Sequence, residues 1–302
     1  MPKQKIFIFH KIPEIGLKML EKKFEFSKKL ENSDAILCLL TNKIDAEVMD
    51  KAGKQLKIIS NYAVGYNNID INAAKKRSIM VTNTPGVLTN TVAEHTVGLI
   101  CAIAQRIPEA DKFTRAGKFK GWQPMLLLGT DLFSKTLGII GLGRIGQRVA
   151  EIAQKGFAMK IIYYDKFRNN KYKFAPIKKI LKKADFISLH VPLLPSTKHL
   201  VSKKELKLMK KTAYLINTSR GPVIDEKALT EALKNKQIAG AALDVFEQEP
   251  KLASGLVKLN NVILTPHIAS ASIETREKMA VIAAQNIIDA LEGKKLENLV
   301  NK

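Results

Sequence analysis

Three polar side chains in the second half of this 302-residue chain have the chemistry for an acid-assisted reduction. Arg220 lies in Asn217-Thr218-Ser219-Arg220-Gly221. Glu249 lies in Asp244-Val245-Phe246-Glu247-Gln248-Glu249-Pro250, and His267 in Thr265-Pro266-His267-Ile268-Ala269. Each segment follows a short apolar run of strand character. A planar guanidinium pairs bidentately with a carboxylate. An imidazole titrates near neutral pH and can hand a proton to a carbonyl oxygen. A carboxylate beside it favours its charged form. Reducing a 2-oxo acid by hydride asks a protein for those three functions. Plainer readings stand beside them: Arg220 as a surface ion-pair residue, Glu249 as a loop carboxylate, His267 as a hydrogen-bonded strand-end histidine. Their succession after strands of one domain favours the chemical reading.

That domain is announced by Thr136 to Ile140, an apolar run read as a buried strand, followed by Gly141-Leu142-Gly143-Arg144-Ile145-Gly146. The glycines have the G-x-G-x-x-G spacing. Gly141 suits the tight turn, Gly143 the approach of backbone to a pyrophosphate, and Gly146 close helix–strand packing. Gln147 to Lys155 is helical in pattern, with Val149, Ile152 and Ala153 on one face. A helix start there offers N–H groups and a positive dipole end to phosphates. A second strand, Lys160 to Tyr164, ends at Asp165, and 165 − 146 = 19 matches the spacing to the acid that holds ribose hydroxyls. Asp165 accepts from both hydroxyls and repels a 2′-phosphate. The expected cofactor is therefore NAD(H) rather than NADP, although Lys166 and Arg168 follow closely.

The elements that must position these residues alternate. Strands are read at Lys5–Phe9, Ala35–Leu40, Lys57–Asn61 and Ile79–Thr82, with helices at Pro13–Lys23, Ala46–Ala52 and Ile71–Lys76. Asn83-Thr84-Pro85-Gly86 ends this pattern, and a long helix from about Thr91 to Arg106 leads into the second domain. Gly117 to Thr130 is irregular and carries the sole tryptophan, Trp122. Later strands are Phe186–Val191, Ala213–Asn217, Gly240–Val245 and Val262–Thr265. The amphipathic helix from about Ser272 to Leu291 is expected to return to the first domain. The fold class is α/β, with two doubly wound parallel-sheet domains. Residues 1–94 and 276–302 form a flavodoxin-like substrate domain, and 95–275 a Rossmann dinucleotide-binding domain. In such sheets ligands sit outside the carboxyl ends of the strands, where the informative polar residues fall. His190 follows a strand and can line the cofactor cleft. His95 reads as a hydrogen-bonded helix residue, His10 and His199 as surface residues.

Apolar residues make up 46% of the chain, enough for a sizeable core. No apolar run is long enough for a membrane span, and the start lacks the features of a signal peptide; a cytoplasmic protein without a membrane partner is expected. Cys38 and Cys101 sit in apolar runs, with neither metal spacing nor a disulfide framework, so no metal is expected. Net charge is 50 − 28 = +22. The lysines are spread along the whole chain, which favours a solvated surface over nucleic-acid binding. The densest cluster, from Lys166 to Lys183, lacks the interleaved aromatics of a stacking platform and suits steering of anionic ligands.

Taken together, the motifs resemble the D-isomer-specific 2-hydroxyacid dehydrogenase family over nearly the whole chain. They are Tyr62-Ala63-Val64-Gly65-Tyr66-Asn67-Asn68-Ile69-Asp70, Asn83-Thr84-Pro85-Gly86-Val87, the glycine loop, Leu189-His190-Val191-Pro192-Leu193, and the segments holding Arg220, Glu249 and His267. The resemblance implies catalysis by Arg220, Glu249 and His267, with the substrate carboxylate also held by main-chain N–H groups at Val64 and Gly65. It implies cofactor contacts from the Arg144 and Ile145 backbone, Asp165, His190, Pro192, Thr218, Asp244 and Thr91, and a homodimer built on the long connecting helix and its neighbours. Gly121-Trp122 with Pro124 and Leu128-Gly129 is similar to glyoxylate and hydroxypyruvate reductases. The expected activity is reduction of a small 2-oxo acid to the D-2-hydroxy acid. Rival expectations are D-3-phosphoglycerate dehydrogenase and a dinucleotide-sensing, corepressor-like binding protein.

Overall fold

The computed structural model describes residues 3–301. They divide into two compact units: the described residues up to Leu88 with those from Ala271 onward, and Thr89–Ser270. In the first unit β1 (Lys5–Ile8), β2 (Glu25–Ser27), β3 (Ala35–Cys38), β4 (Ile58–Asn61) and β5 (Met80–Thr82) form a parallel sheet of order β2-β1-β3-β4-β5. This is the flavodoxin-like order. Helices α1 (Glu14–Glu21), α2 (Ala46–Ala52) and α3 (Ile71–Lys76) are its crossovers. The Asp45 and Asp70 carboxylates accept the N–H groups of Val48 and Ala73, satisfying donors that the first turns of α2 and α3 leave open.

Side chains along each strand alternate between faces. Ile59 packs with Met49 and Ala73 beneath α2 and α3. Ser60, next along, donates to the Ala283 carbonyl at 3.0 Å. Ala283 belongs to the closing helix, Ile273–Leu291, so that helix covers the opposite face. The continuous apolar run Ile58-Ile59 is what a strand buried on both faces requires.

The second unit opens with α4 (Thr89–Ala104) and α5 (Ile107–Arg115). One helix was expected to run on to Arg106. It ends at Ala104, whose carbonyl accepts the Thr130 N–H at 2.9 Å, and Arg106 turns the chain at φ +54°. There follow β6 (Thr136–Ile140), α6 (Arg144–Phe157), β7 (Lys160–Tyr164), β8 (Lys173–Phe174), α7 (Ile177–Lys183), β9 (Phe186–Leu189), α8 (Lys203–Leu206), β10 (Tyr214–Asn217), α9 (Glu226–Lys234), β11 (Gly240–Leu243) and β12 (Val262–Leu264).

The strands pair in parallel in the order β12-β11-β10-β9-β6-β7-β8. Counted from β6 this is the Rossmann order with an added edge strand. Leu137, Ile139 and Phe186 pack with α4 and α6 on one face. Ile187, Leu189 and Leu215 pack with α7 and α9 on the other. Since all strands run the same way, their carboxyl ends share one edge. The order reverses between β6 and β9, which opens a crevice at that edge.

Cys38 is fully buried, and burial pushes its thiol up to about 12; Cys101 is pushed up by the same cause. Among the described residues no helix is long and apolar enough to cross a membrane.

Candidate active site

The chain turns out of β6 at Gly141, with φ +95°. A Cβ on Gly141 would stand 2.5 Å from the His190 carbonyl oxygen, and one on Gly146 would stand 2.2 Å from the Gly141 carbonyl oxygen. Side chains are therefore excluded where β6, the loop after β9 and α6 meet. A Cβ on Gly143 would meet nothing within 4 Å. That opening lies at the start of α6, whose first turn carries Arg144, Ile145 and Gly146 and has no side-chain cap. An anion accepted there would meet main-chain N–H groups and the positive end of the helix dipole. Asp165, just past β7, accepts the Leu142 N–H at 2.6 Å and the Phe167 N–H at 3.0 Å. Its carboxylate is thus tied to the glycine turn. These features fit a dinucleotide.

His190 follows β9 beside that turn. Burial holds its imidazole down at about 4, so the ring is neutral near pH 7, and its Nε2 lies 2.8 Å from Ser188 Oγ. Pro192, two residues on, accepts Thr197 Oγ–H at 2.6 Å. Thr218, after β10, lies 2.8 Å from the Thr96 hydroxyl, which itself donates to the Val92 carbonyl. Thr218 is therefore the donor of that pair. Thr91 lies in the first turn of α4.

The loop after β10 is shaped by Asn217, whose side chain accepts Ser219 N–H and Oγ–H and donates to the Arg220 carbonyl at 2.9 Å. Arg220 Nη1 donates to the Ser219 carbonyl at 2.6 Å. A Cβ on Gly221 would fall 1.8 Å from the Phe246 carbonyl oxygen. Only glycine allows this approach, and it brings the Arg220 loop onto the segment that carries Glu249. Burial lowers the Arg220 guanidinium from its usual range, and Glu249 opposes that shift.

Glu249 accepts the Phe246 N–H at 3.0 Å with one oxygen and lies 2.9 Å from His267 Nδ1 with the other. Burial alone would raise this carboxyl. The hydrogen bond and charge of His267, the Phe246 N–H and the Arg220 charge outweigh burial and hold it below the usual range. A carboxylate at Nδ1 makes that nitrogen the donor and leaves Nε2 to face a substrate.

His267 sits in the left-handed region at φ +54°, an uncommon state for a residue with a Cβ. Asp244 holds it there. The Asp244 carbonyl accepts the His267 N–H at 2.8 Å, and its fully buried carboxylate accepts Ile268 N–H at 2.9 Å, Ala269 N–H at 2.8 Å and Thr265 Oγ–H at 2.6 Å. His95 Nε2 stands 3.6 Å from the same carboxylate. Asp244, expected as a cofactor contact, also ties down the turn that carries His267. The only advance signal of this was an aspartate closing one strand with Thr-Pro-His closing the next.

In the first unit, the Ala63 carbonyl accepts Thr84 N–H at 2.9 Å and the Val64 carbonyl accepts Asn83 Nδ2–H at 2.8 Å. Across a planar trans peptide the following N–H points the opposite way. The N–H groups of Val64 and Gly65 therefore point away from the donors that occupy the carbonyls before them. The Asn83-Thr84 motif sets their direction.

His199, expected on the surface, has a side chain 39% exposed, and its Nε2 lies 2.6 Å from Glu247 Oε1. His10 is exposed.

Residues 97–269 match the family model described as D-isomer specific 2-hydroxyacid dehydrogenase, NAD binding domain. A glyoxylate reductase of Thermococcus litoralis is 50% identical over 99% of this chain and 97% of its own length. The TT0316 protein of Thermus thermophilus superposes with a TM-score of 0.93 at 39% identity, over 98% of this chain and 100% of that one. An NADPH-dependent glyoxylate/hydroxypyruvate reductase of Sinorhizobium meliloti, solved with NADP and malonate, gives 0.90 at 32% identity, over 99% and 97%. With a Rossmann unit whose strand ends gather Arg220, Glu249 and His267, and with likeness of this extent, the chain belongs to the D-isomer-specific 2-hydroxyacid dehydrogenases, close to the glyoxylate reductases.

Proposed function

We propose that this protein is an NADH-dependent reductase of small 2-oxo acids, with glyoxylate and hydroxypyruvate as preferred substrates. The observation that carries the reading is the Glu249–His267 pair, 2.9 Å apart and linked electrostatically to Arg220. Acid, its charge partner and carboxylate binder are present at one sheet edge. The names of the relatives support the substrate class.

The start of α6 and Gly143 would hold a pyrophosphate, and Asp165 the adjacent ribose. Thr91, His190, Pro192, Thr218 and Asp244 stand as further candidates for cofactor contact. Reduced nicotinamide, when bound, supplies the hydride. Arg220 binds the substrate carboxylate through its two-pronged guanidinium; the Val64 and Gly65 N–H groups of the first unit stand as further candidates for substrate contact. Asn217 fixes the loop that aims Arg220. His267 gives a proton from Nε2 to the carbonyl oxygen as negative charge develops there. Glu249 fixes the tautomer of the ring by accepting from Nδ1. Asp165, just past β7, favours NADH, because a 2′-phosphate would face its charge. A homodimer built on α4 and its neighbouring segments completes the reading.

Nicotinamide oxidation with glyoxylate, hydroxypyruvate, pyruvate and phosphohydroxypyruvate, each with NADH and with NADPH, tests this reading. Fast turnover of the first two with NADH is the expected result. Preference for the phosphorylated acid would move the protein to phosphoglycerate oxidation. Preference for NADPH would overturn the role given to Asp165.

A further inference from the structure

The loop carrying Glu249 is secured by a carboxylate that has no place in the reaction described above. Glu226 opens α9 and is 5% exposed. One of its oxygens accepts the Glu247 N–H at 2.7 Å, and the other accepts the Ala253 N–H at 2.6 Å. The loop from 247 to 253 is thus pinned at both ends by one side chain. The tie is reciprocal, since the Glu226 N–H donates to Glu247 Oε2 at 3.1 Å. Glu247 in turn pairs with His199. Each of these two acids thus accepts the main-chain N–H of the other, at the first turn of α9. Burying a carboxylate is costly unless its oxygens are satisfied, and both oxygens of Glu226 are given to the two ends of this loop.

We propose that Glu226 is a positioning residue for proton transfer: its buried carboxylate sets the loop that presents Glu249 to His267 Nδ1. The inference rests on the reading of His267 as proton donor. It adds that the geometry of the donor pair is fixed from α9, on the far side of the loop. Aspartate is one methylene too short to span both N–H groups. Glutamine keeps one acceptor and turns an NH2 toward the other N–H, so one end of the loop is released.

The test compares Glu226→Gln with wild type, Glu249→Gln and the double variant. Three readouts are followed: titration of the His267 ring by NMR, the pH profile of reductive kcat/KM, and dinucleotide binding. In Glu226→Gln the His267 titration and the alkaline fall in kcat/KM both move to lower pH, toward Glu249→Gln. Turnover drops by about 10- to 100-fold, the scale of a small misplacement, and dinucleotide affinity is unchanged. The double variant is no worse than Glu249→Gln, because both act through one group. A Glu226→Gln protein that folds and titrates His267 as wild type does would overturn the proposal. So would losses that simply add in the double variant. Should wild type reduce none of the acids offered, the functional reading fails, while the NMR titration still decides the placement of Glu249 by Glu226.

Discussion

His267 Nδ1 and Glu249 Oε2 lie 2.9 Å apart, and this contact joins two loops at the carboxyl ends of β11 and β12. It sets the tautomer of the ring and holds the carboxylate in its charged form. Glu249→Gln keeps the hydrogen-bonding shape but removes the charge. Reductive kcat should fall by about 10²-fold, the lower part of the range for acid–base catalysis. The alkaline fall in rate should begin at lower pH, since nothing then favours the imidazolium. A pH–rate series on both proteins measures this. Superimposable profiles would dismiss Glu249 as the charge partner.

Asp244 gives a prediction about stability. Burial would raise this carboxyl, but donors from His95, Thr265, Ile268 and Ala269 outweigh burial and lower it. A carboxyl lowered in the folded state contributes stability above its unfolded value of about 3.9, and that contribution is lost as pH falls through the folded value. Asp244→Asn should therefore be less stable than wild type by roughly 1.5–3 kcal/mol at neutral pH. The gap should close below about pH 4. Unfolding of the two proteins across that range decides it; a gap that does not change with pH would mean the charge is irrelevant to the turn.

The two ends of the glycine loop should respond differently to one methyl group. Gly146→Ala drives a Cβ to 2.2 Å from the Gly141 carbonyl oxygen and should destabilise the unit by roughly 1–3 kcal/mol. Gly143→Ala meets open space at an ordinary φ of −70° and should leave stability intact while obstructing a bound pyrophosphate. Thermal melts paired with dinucleotide titrations separate the two effects. A Gly143→Ala protein that binds dinucleotide normally would argue against phosphates at the start of α6.

Much of this architecture could be read from residue pattern because its causes are local. Gly141 and Gly146 answer to a turn and a close approach that a side chain would block, and Gly143 keeps the start of α6 open. The apolar stretches Leu137–Ile140 and Ile58-Ile59 mark strands covered on both sides. The edge strands β2 and β8 were not legible: Glu25-Phe26-Ser27 and Lys173-Phe174 have no pattern of their own and are strands only because a neighbour pairs with them.

In the site, chemistry was legible and support was not. Arg220, Glu249 and His267 announce themselves by type and by place after strands. The Asp244 carboxylate that holds the His267 turn acts across 21 to 25 positions of sequence. Glu226 acts on the Glu249 loop across 21 and 27. Such ties follow from packing, and neither spacing nor residue type reveals them. The His199–Glu247 contact is hidden from the sequence for the same reason, since it forms only in the folded chain.

The most direct test of the central claim is turnover by His267→Asn under saturating NADH and glyoxylate, set beside NADH binding by the same protein. The account predicts binding equal to wild type and turnover lowered by about 10²- to 10⁴-fold. Near-normal turnover, with NADH bound as in wild type, would contradict His267 as the proton donor.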